Sequence, residues 1–178
     1  MNIEEEIIKN QSILVLIAKS EYPSKHMEIV GLLDKNFKKI GYVYLKKSYK
    51  TLKKKLTKNK VNFNKFLFIG LNKPTKEQLK AEYYSYITSP ADFGGINIAL
   101  SDLVYRGCKS FLFDSLSNMI AHVKRDKLLK FINTIIIKTK VANANVIFLA
   151  LSENIDSNLF NDLNMVFDKI IVTPTDNK

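Results

Sequence analysis

Lys109-Ser110-Phe111-Leu112-Phe113-Asp114-Ser115-Leu116-Ser117 decides how the rest of the chain is read. Its apolar run is continuous rather than alternating, which marks a strand buried on both faces. That is the pattern of a parallel sheet held between two helical layers. The strand ends on a carboxylate, and serines then lead toward a long helical pattern from Lys124 to Thr139. Leu128, Leu129, Phe131, Ile132, Ile135 and Ile136 form the apolar side of that pattern.

The same alternation extends in both directions. Strands are predicted at Ser12 to Ala18, Gly41 to Leu45, Phe66 to Gly70, Tyr84 to Thr88, Asn145 to Leu151 and Phe167 to Val172. Between them lie helical spacings. Met27, Ile29, Val30, Leu32 and Leu33 form one, and Tyr49, Leu52 and Leu56 behind a Ser48 cap form another. Ser89-Pro90-Ala91-Asp92 supplies helix-start chemistry for Ile96 to Tyr105, Gly107 sits where a C-cap glycine belongs, and Ser157 to Asn164 reads as a short helix. The expectation is a single α/β domain over residues 1–178 with its core at about 12–172. It is three-layered and mostly parallel, with helices on both faces and the strands beginning near Ser12, Lys109 and Asn145 at its centre.

At 178 residues and 46% hydrophobic content the chain can bury a core without disulfides or metal. The acidic opening, Glu4-Glu5-Glu6, is the opposite of a secretion signal, and the longest apolar runs are of strand length. No membrane span and a reducing, cytoplasmic setting are expected. Cys108 stands alone and reads as a core residue. His26 and His122 have no ligand spacing around them, so no metal site is expected.

The formal charge of +11 is localised. Fourteen lysines and no Asp or Glu lie from Lys35 to Lys76, whereas the remainder carries fourteen basic and seventeen acidic groups. Lys46, Lys47, Lys50, Lys53, Lys54, Lys55 and Lys58 place like charges within a few helical turns, a candidate anion- or nucleic-acid-binding face. The chain has only two arginines, Arg106 and Arg125, so base recognition by guanidinium forks has little support. The abundance of Lys, Asn and Ile also fits a compositional bias without functional demand. Tyr83, Tyr84 and Tyr86 offer a stacking surface or a half-buried strand, and Asp92 with Gly94-Gly95 offers an anion-binding turn or an ordinary helix start, which is favoured.

The run from Phe111 to Ser117 resembles the Walker B region of the KaiC-like branch of RecA-type ATPases, and the strand and helix order extends that resemblance over about residues 12–172. The resemblance implies a metal-placing role for Asp114, beside Ser115; the alternative is that Asp114 caps the following helix. It also implies a phosphate loop after the first strand. Aligned on Lys25, G-x-x-x-x-G-K-[ST] becomes Lys19, Ser24, Lys25 and His26, with Pro23 inside and neither glycine present. Lys46 and Lys47 stand where the family carries acidic catalytic residues, and two ammonium groups cannot take a proton from water near neutral pH. The chain thus resembles degenerate archaeal-type relatives of that superfamily. No cofactor and no catalysis are expected, and the function implied is a regulatory or scaffolding module that binds a protein partner or further copies of itself. The alternatives are an ATP·Mg²⁺-binding ATPase using Lys25 and Asp114, and a sequence-independent nucleic-acid binder using the lysine face.

Overall fold

The computed structural model describes residues 2–45, 49–71, 73–76 and 83–173. Seven strands form one sheet: β1 (Ser12–Ile17), β2 (Ile40–Tyr44), β3 (Phe66–Gly70), β4 (Tyr84–Tyr86), β5 (Ser110–Asp114), β6 (Asn145–Leu151) and β7 (Lys169–Val172). Their order is β4-β3-β2-β5-β6-β1-β7, and every pairing is parallel. All seven strands fall where the apolar runs place them. The strand ending on Asp114 is the middle one, with Asn145–Leu151 beside it. The strand from Ser12 lies further out than expected, one place from the edge, because β7 adds only a single strand beyond it.

Helices cover both faces. On one side are α1 (Ile3–Lys9), α2 (Tyr22–Asn36) and α3 (Tyr49–Lys58). Their buried residues pack with Ile13, Val15, Tyr42, Phe68, Leu112 and Ile147. On the other side are α4 (Phe93–Tyr105), α5 (Leu116–Ile120), α6 (Arg125–Val141) and α7 (Ser157–Asn164), packed on Leu14, Val43, Phe111, Phe113 and Phe148. Strand residues alternate between these two cores. A strand flanked by helical layers therefore needs apolar side chains at every position.

Several elements show how local chemistry sets the boundaries. Asp92 caps α4, its Oδ1 accepting the Gly95 N–H at 2.9 Å, which is the ordinary helix-start reading. Gly107 takes φ +87 just after that helix, a conformation that suits glycine. The sequence pattern does not reveal α1, because seven residues carry too few apolar positions to show a period. Asn2 caps it, and Ile7 is its single buried residue. Cys108 is buried in the core, and burial pushes its thiol up to about 11, as befits an inert cysteine. Ser48, Lys46 and Lys47 lie outside the described residues.

Gly41 lets β2 pass close beneath a neighbouring ring: a Cβ added there would sit 2.5 Å from Phe111 Cδ1 and 3.0 Å from Leu103 Cδ1. Phe111 and Leu103 are fully buried and have no room to retreat. Gly41→Ala is expected to destabilise the protein by about 1–3 kcal/mol through overpacking. An unchanged urea midpoint would show that the ring can give way.

Candidate functional site

In open α/β sheets the place to look is the crevice beyond the carboxyl ends of the strands, where neighbouring connections leave in opposite directions. β2 and β5 are such a pair, since β2 leads outward to β3 whereas β5 leads back to β6. Their ends are in register at Tyr44 and Asp114. The Asp114 side chain points to the face covered by α2 and α3 and is 1% exposed.

Burying a carboxylate this deeply requires hydrogen bonds to replace water. Tyr22, on the first turn of α2, donates its hydroxyl to Asp114 Oδ1 at 2.5 Å. Tyr42, on β2, donates to Oδ2 at 3.1 Å. His26, one turn after Tyr22 on the same face of α2, brings Nε2 within 2.6 Å of the Tyr42 oxygen and 3.2 Å of Asp114 Oδ2. Its Nδ1 lies 3.5 Å from Lys55 Nζ on α3. The tautomer with its proton on Nε2 satisfies all of these contacts, leaving Nδ1 to accept from the ammonium. A chain of donors thus runs from Lys55 through His26 and Tyr42 to Asp114.

Burial, then the negative charge of Asp114, pushes the hydroxyls of Tyr22 and Tyr42 well above the usual tyrosine range. The same causes raise Tyr44 to about 12. These phenols hold their protons and serve as donors. Asp114 does not cap the following helix: Ser115 takes the N-cap position of α5, and its Oγ donates to Asn118 Oδ1 at 3.0 Å.

The connection from β1 to α2 is four residues, Ala18 to Glu21, and contains no glycine. The Glu21 N–H turns back to the Ala18 carbonyl at 3.0 Å. The Lys19 N–H donates to Glu153 Oε1 at 2.9 Å, so an internal carboxylate already sits against this turn. That N–H holds the Glu153 carboxyl below the usual range. Pro23 removes one further amide donor at the start of α2. Lys25 lies in the helix itself and is ion-paired with Glu28 at 2.8 Å. It faces a cleft of about 300 Å³ shared with Asn2, Ile3, Ile171, Val172 and Thr173. The described contacts therefore bring Asp114 and Ser115 together and leave Lys25 on another side of α2.

The lysine face divides in a way the spacing did not show. Lys50, Lys54 and Lys58 are exposed; Lys53 lies over the Phe63 ring at 4.9 Å; Lys55 turns inward to the Pro23 carbonyl and His26. Of the tyrosines near β4, Tyr86 is exposed, whereas Tyr83 and Tyr84 are engaged by their neighbours. Tyr84 packs edge-on against Tyr49 at 4.8 Å, and Tyr83 bonds to Asp102 beneath the Arg106 guanidinium.

Together these elements define a RecA-like α/β fold. Among the solved structures similar to this chain are two of somewhat greater length. One is a KaiC-like protein from the hyperthermophilic archaeon Pyrococcus horikoshii OT3, with TM-score 0.63, 10% identity, and coverage of 94% of this chain and 74% of that one. The other is the flagellar accessory protein FlaH from Methanocaldococcus jannaschii, with TM-score 0.59, 16% identity, and coverage of 97% and 77%. No protein-family model and no curated protein sequence matches the chain.

Removing either phenolic donor leaves one oxygen of a buried charge short of a partner. Tyr22→Phe and Tyr42→Phe are each expected to cost about 1.5–3 kcal/mol in chemical denaturation, and less than their sum together. A change below about 0.5 kcal/mol in both would mean the carboxylate does not depend on them. The raised phenols also predict an alkaline dependence. Their stabilisation is complete below pH 10.0, where the unfolded phenols are protonated too, and it is lost as pH climbs toward their folded values. The double Phe variant should therefore lose stability less steeply than wild type above about pH 10. Equal slopes would contradict the assignment.

Proposed function

We propose that this chain is a non-catalytic RecA-like domain that works as a regulatory or scaffolding module by binding protein. The observation that carries the reading is the occupied state of Asp114: both of its oxygens accept hydroxyls from the chain's own tyrosines, and His26 closes over one of them. A carboxylate that orients magnesium needs lone pairs open to a hydrated ion. A phosphate cradle needs successive free N–H groups on a glycine-rich turn. The residues present do not fit a magnesium-bound nucleotide: the Lys19 N–H is engaged by Glu153, the connection is short, and Glu21 places a negative charge at the start of α2.

Support for an interaction role comes from the opposite face. α4 and α6 lie side by side, Phe93 stacked on Phe131 at 4.1 Å and Lys138 Nζ bonded to the Asn97 carbonyl at 3.0 Å. On the exposed side of this pair stand Ile98, Tyr105, Ile137 and Val141, all more than half exposed. Exposed apolar side chains on two adjacent helices supply the material of a contact surface. One of the similar structures is by name an accessory protein, a description compatible with such a role.

Calorimetric titration with ATP and Mg²⁺ should show no saturable binding at millimolar concentration, and turnover should not exceed a protein-free blank. Asp114→Asn should lower stability without changing that background. Turnover that disappears in Asp114→Asn would overturn the proposal.

A further inference from the structure

Outside the Asp114 site, the strongest concentration of like charge among the described residues is the outer surface of α3. Its apolar residues Tyr49, Leu52 and Leu56 are buried in the core, which fixes the helix against the sheet. Its outward positions are Lys50, Thr51, Lys53, Lys54, Thr57 and Lys58, without an apolar or acidic residue among them. Lys50, Lys54 and Lys58 follow each other at every fourth position. With a rise of about 1.5 Å per residue, their stems stand about 6 Å apart along one line. Like charges so arranged repel. Asp34, just before the carboxylate-free segment, is already engaged by Lys65 Nζ at 3.2 Å and by the Asn62 N–H at 3.1 Å.

We propose that the Lys50–Lys54–Lys58 ridge binds the phosphate backbone of duplex nucleic acid without reading its sequence. A protein partner would be met by an exposed aromatic or apolar anchor at the centre of the patch, and among the described residues α3 presents none outward. A bilayer would be entered by apolar side chains, and those of α3 are all turned inward. Base recognition would call for arginine forks, and single strands for exposed aromatic rings. Neither is present on this face, since Phe63 lies under Lys53 and Tyr49 is buried. A row of monodentate cations, with Lys53 and Lys55 held by their own contacts behind it, complements a line of phosphates by charge alone.

Fluorescence anisotropy of the full chain with labelled 20-base-pair duplexes of two unrelated sequences tests this. Three phosphate contacts predict a log–log salt slope of about −2.7, hence binding weakened about 40-fold between 50 and 200 mM salt, and equally for both sequences. The triple Lys50→Glu, Lys54→Glu, Lys58→Glu variant should lose binding at 50 mM salt. Lys124→Glu, Lys127→Glu, Lys130→Glu, with the same charge change on exposed lysines at the N-cap and first turns of α6, should retain most of it. If charge reversal unfolds the chain by circular dichroism, the Lys→Gln triple serves instead and should abolish the salt slope. No binding by wild type, equal loss in the α6 variant, or tighter binding to polyglutamate or phosphatidylserine vesicles would each overturn the proposal.

Discussion

A charge inside the molecule organises the end of the sheet. Asp114 stands at the tip of the middle strand, away from water, and must be met by donors on both oxygens. Tyr42 comes from the adjacent strand and is placed by sheet register alone. Tyr22 and His26 come from α2, which must therefore begin immediately over the strand ends. That requirement explains the short β1–α2 connection: a longer loop would lift the first turn of the helix and remove its donors from the carboxylate.

The architecture was legible in the sequence because burial on both faces writes an unbroken apolar run for the inner strands, while the edge strand at Tyr84 showed through its tyrosines. The sheet order was less so. The position of the Ser12 strand depends on how many strands are added beyond it, and β7 contributes only Ile171 to the fully buried set. The site was only half legible. Asp114 announces itself as a carboxylate ending an apolar strand, but its partners lie 92, 72 and, at 114 minus 26, 88 residues away in sequence. The available signal was the pair Tyr22 and His26, four apart on what reads as an apolar helical face, with a tyrosine in the neighbouring strand. Polar aromatic groups repeated on a buried stripe need a buried partner.

The lysine-rich segment shows how composition and geometry part company. On paper its lysines are equivalent. In the structure Lys55 belongs to the interior network through His26, Lys53 covers an aromatic ring, and Lys65 holds the end of α2 at Asp34. These tie α3 and its neighbours to α2, while Lys50, Lys54 and Lys58 remain at the surface. Substitutions across the segment would therefore mix packing effects with electrostatic ones unless these two groups are kept apart.

The interlocking of Tyr22, Tyr42, His26 and Asp114 also shapes which sequences lie within reach of this one. Converting the crevice to a phosphate cradle demands glycines and extra length after β1, release of Lys19 from Glu153, and a carboxylate freed from two phenols. Freeing the carboxylate strips a buried charge of its donors before any new ligand can compensate, whereas the Lys19–Glu153 contact is exposed and gives way more easily. The strand ends are thus locked as a unit: a single substitution there meets a stability barrier that only a concerted set of changes would cross.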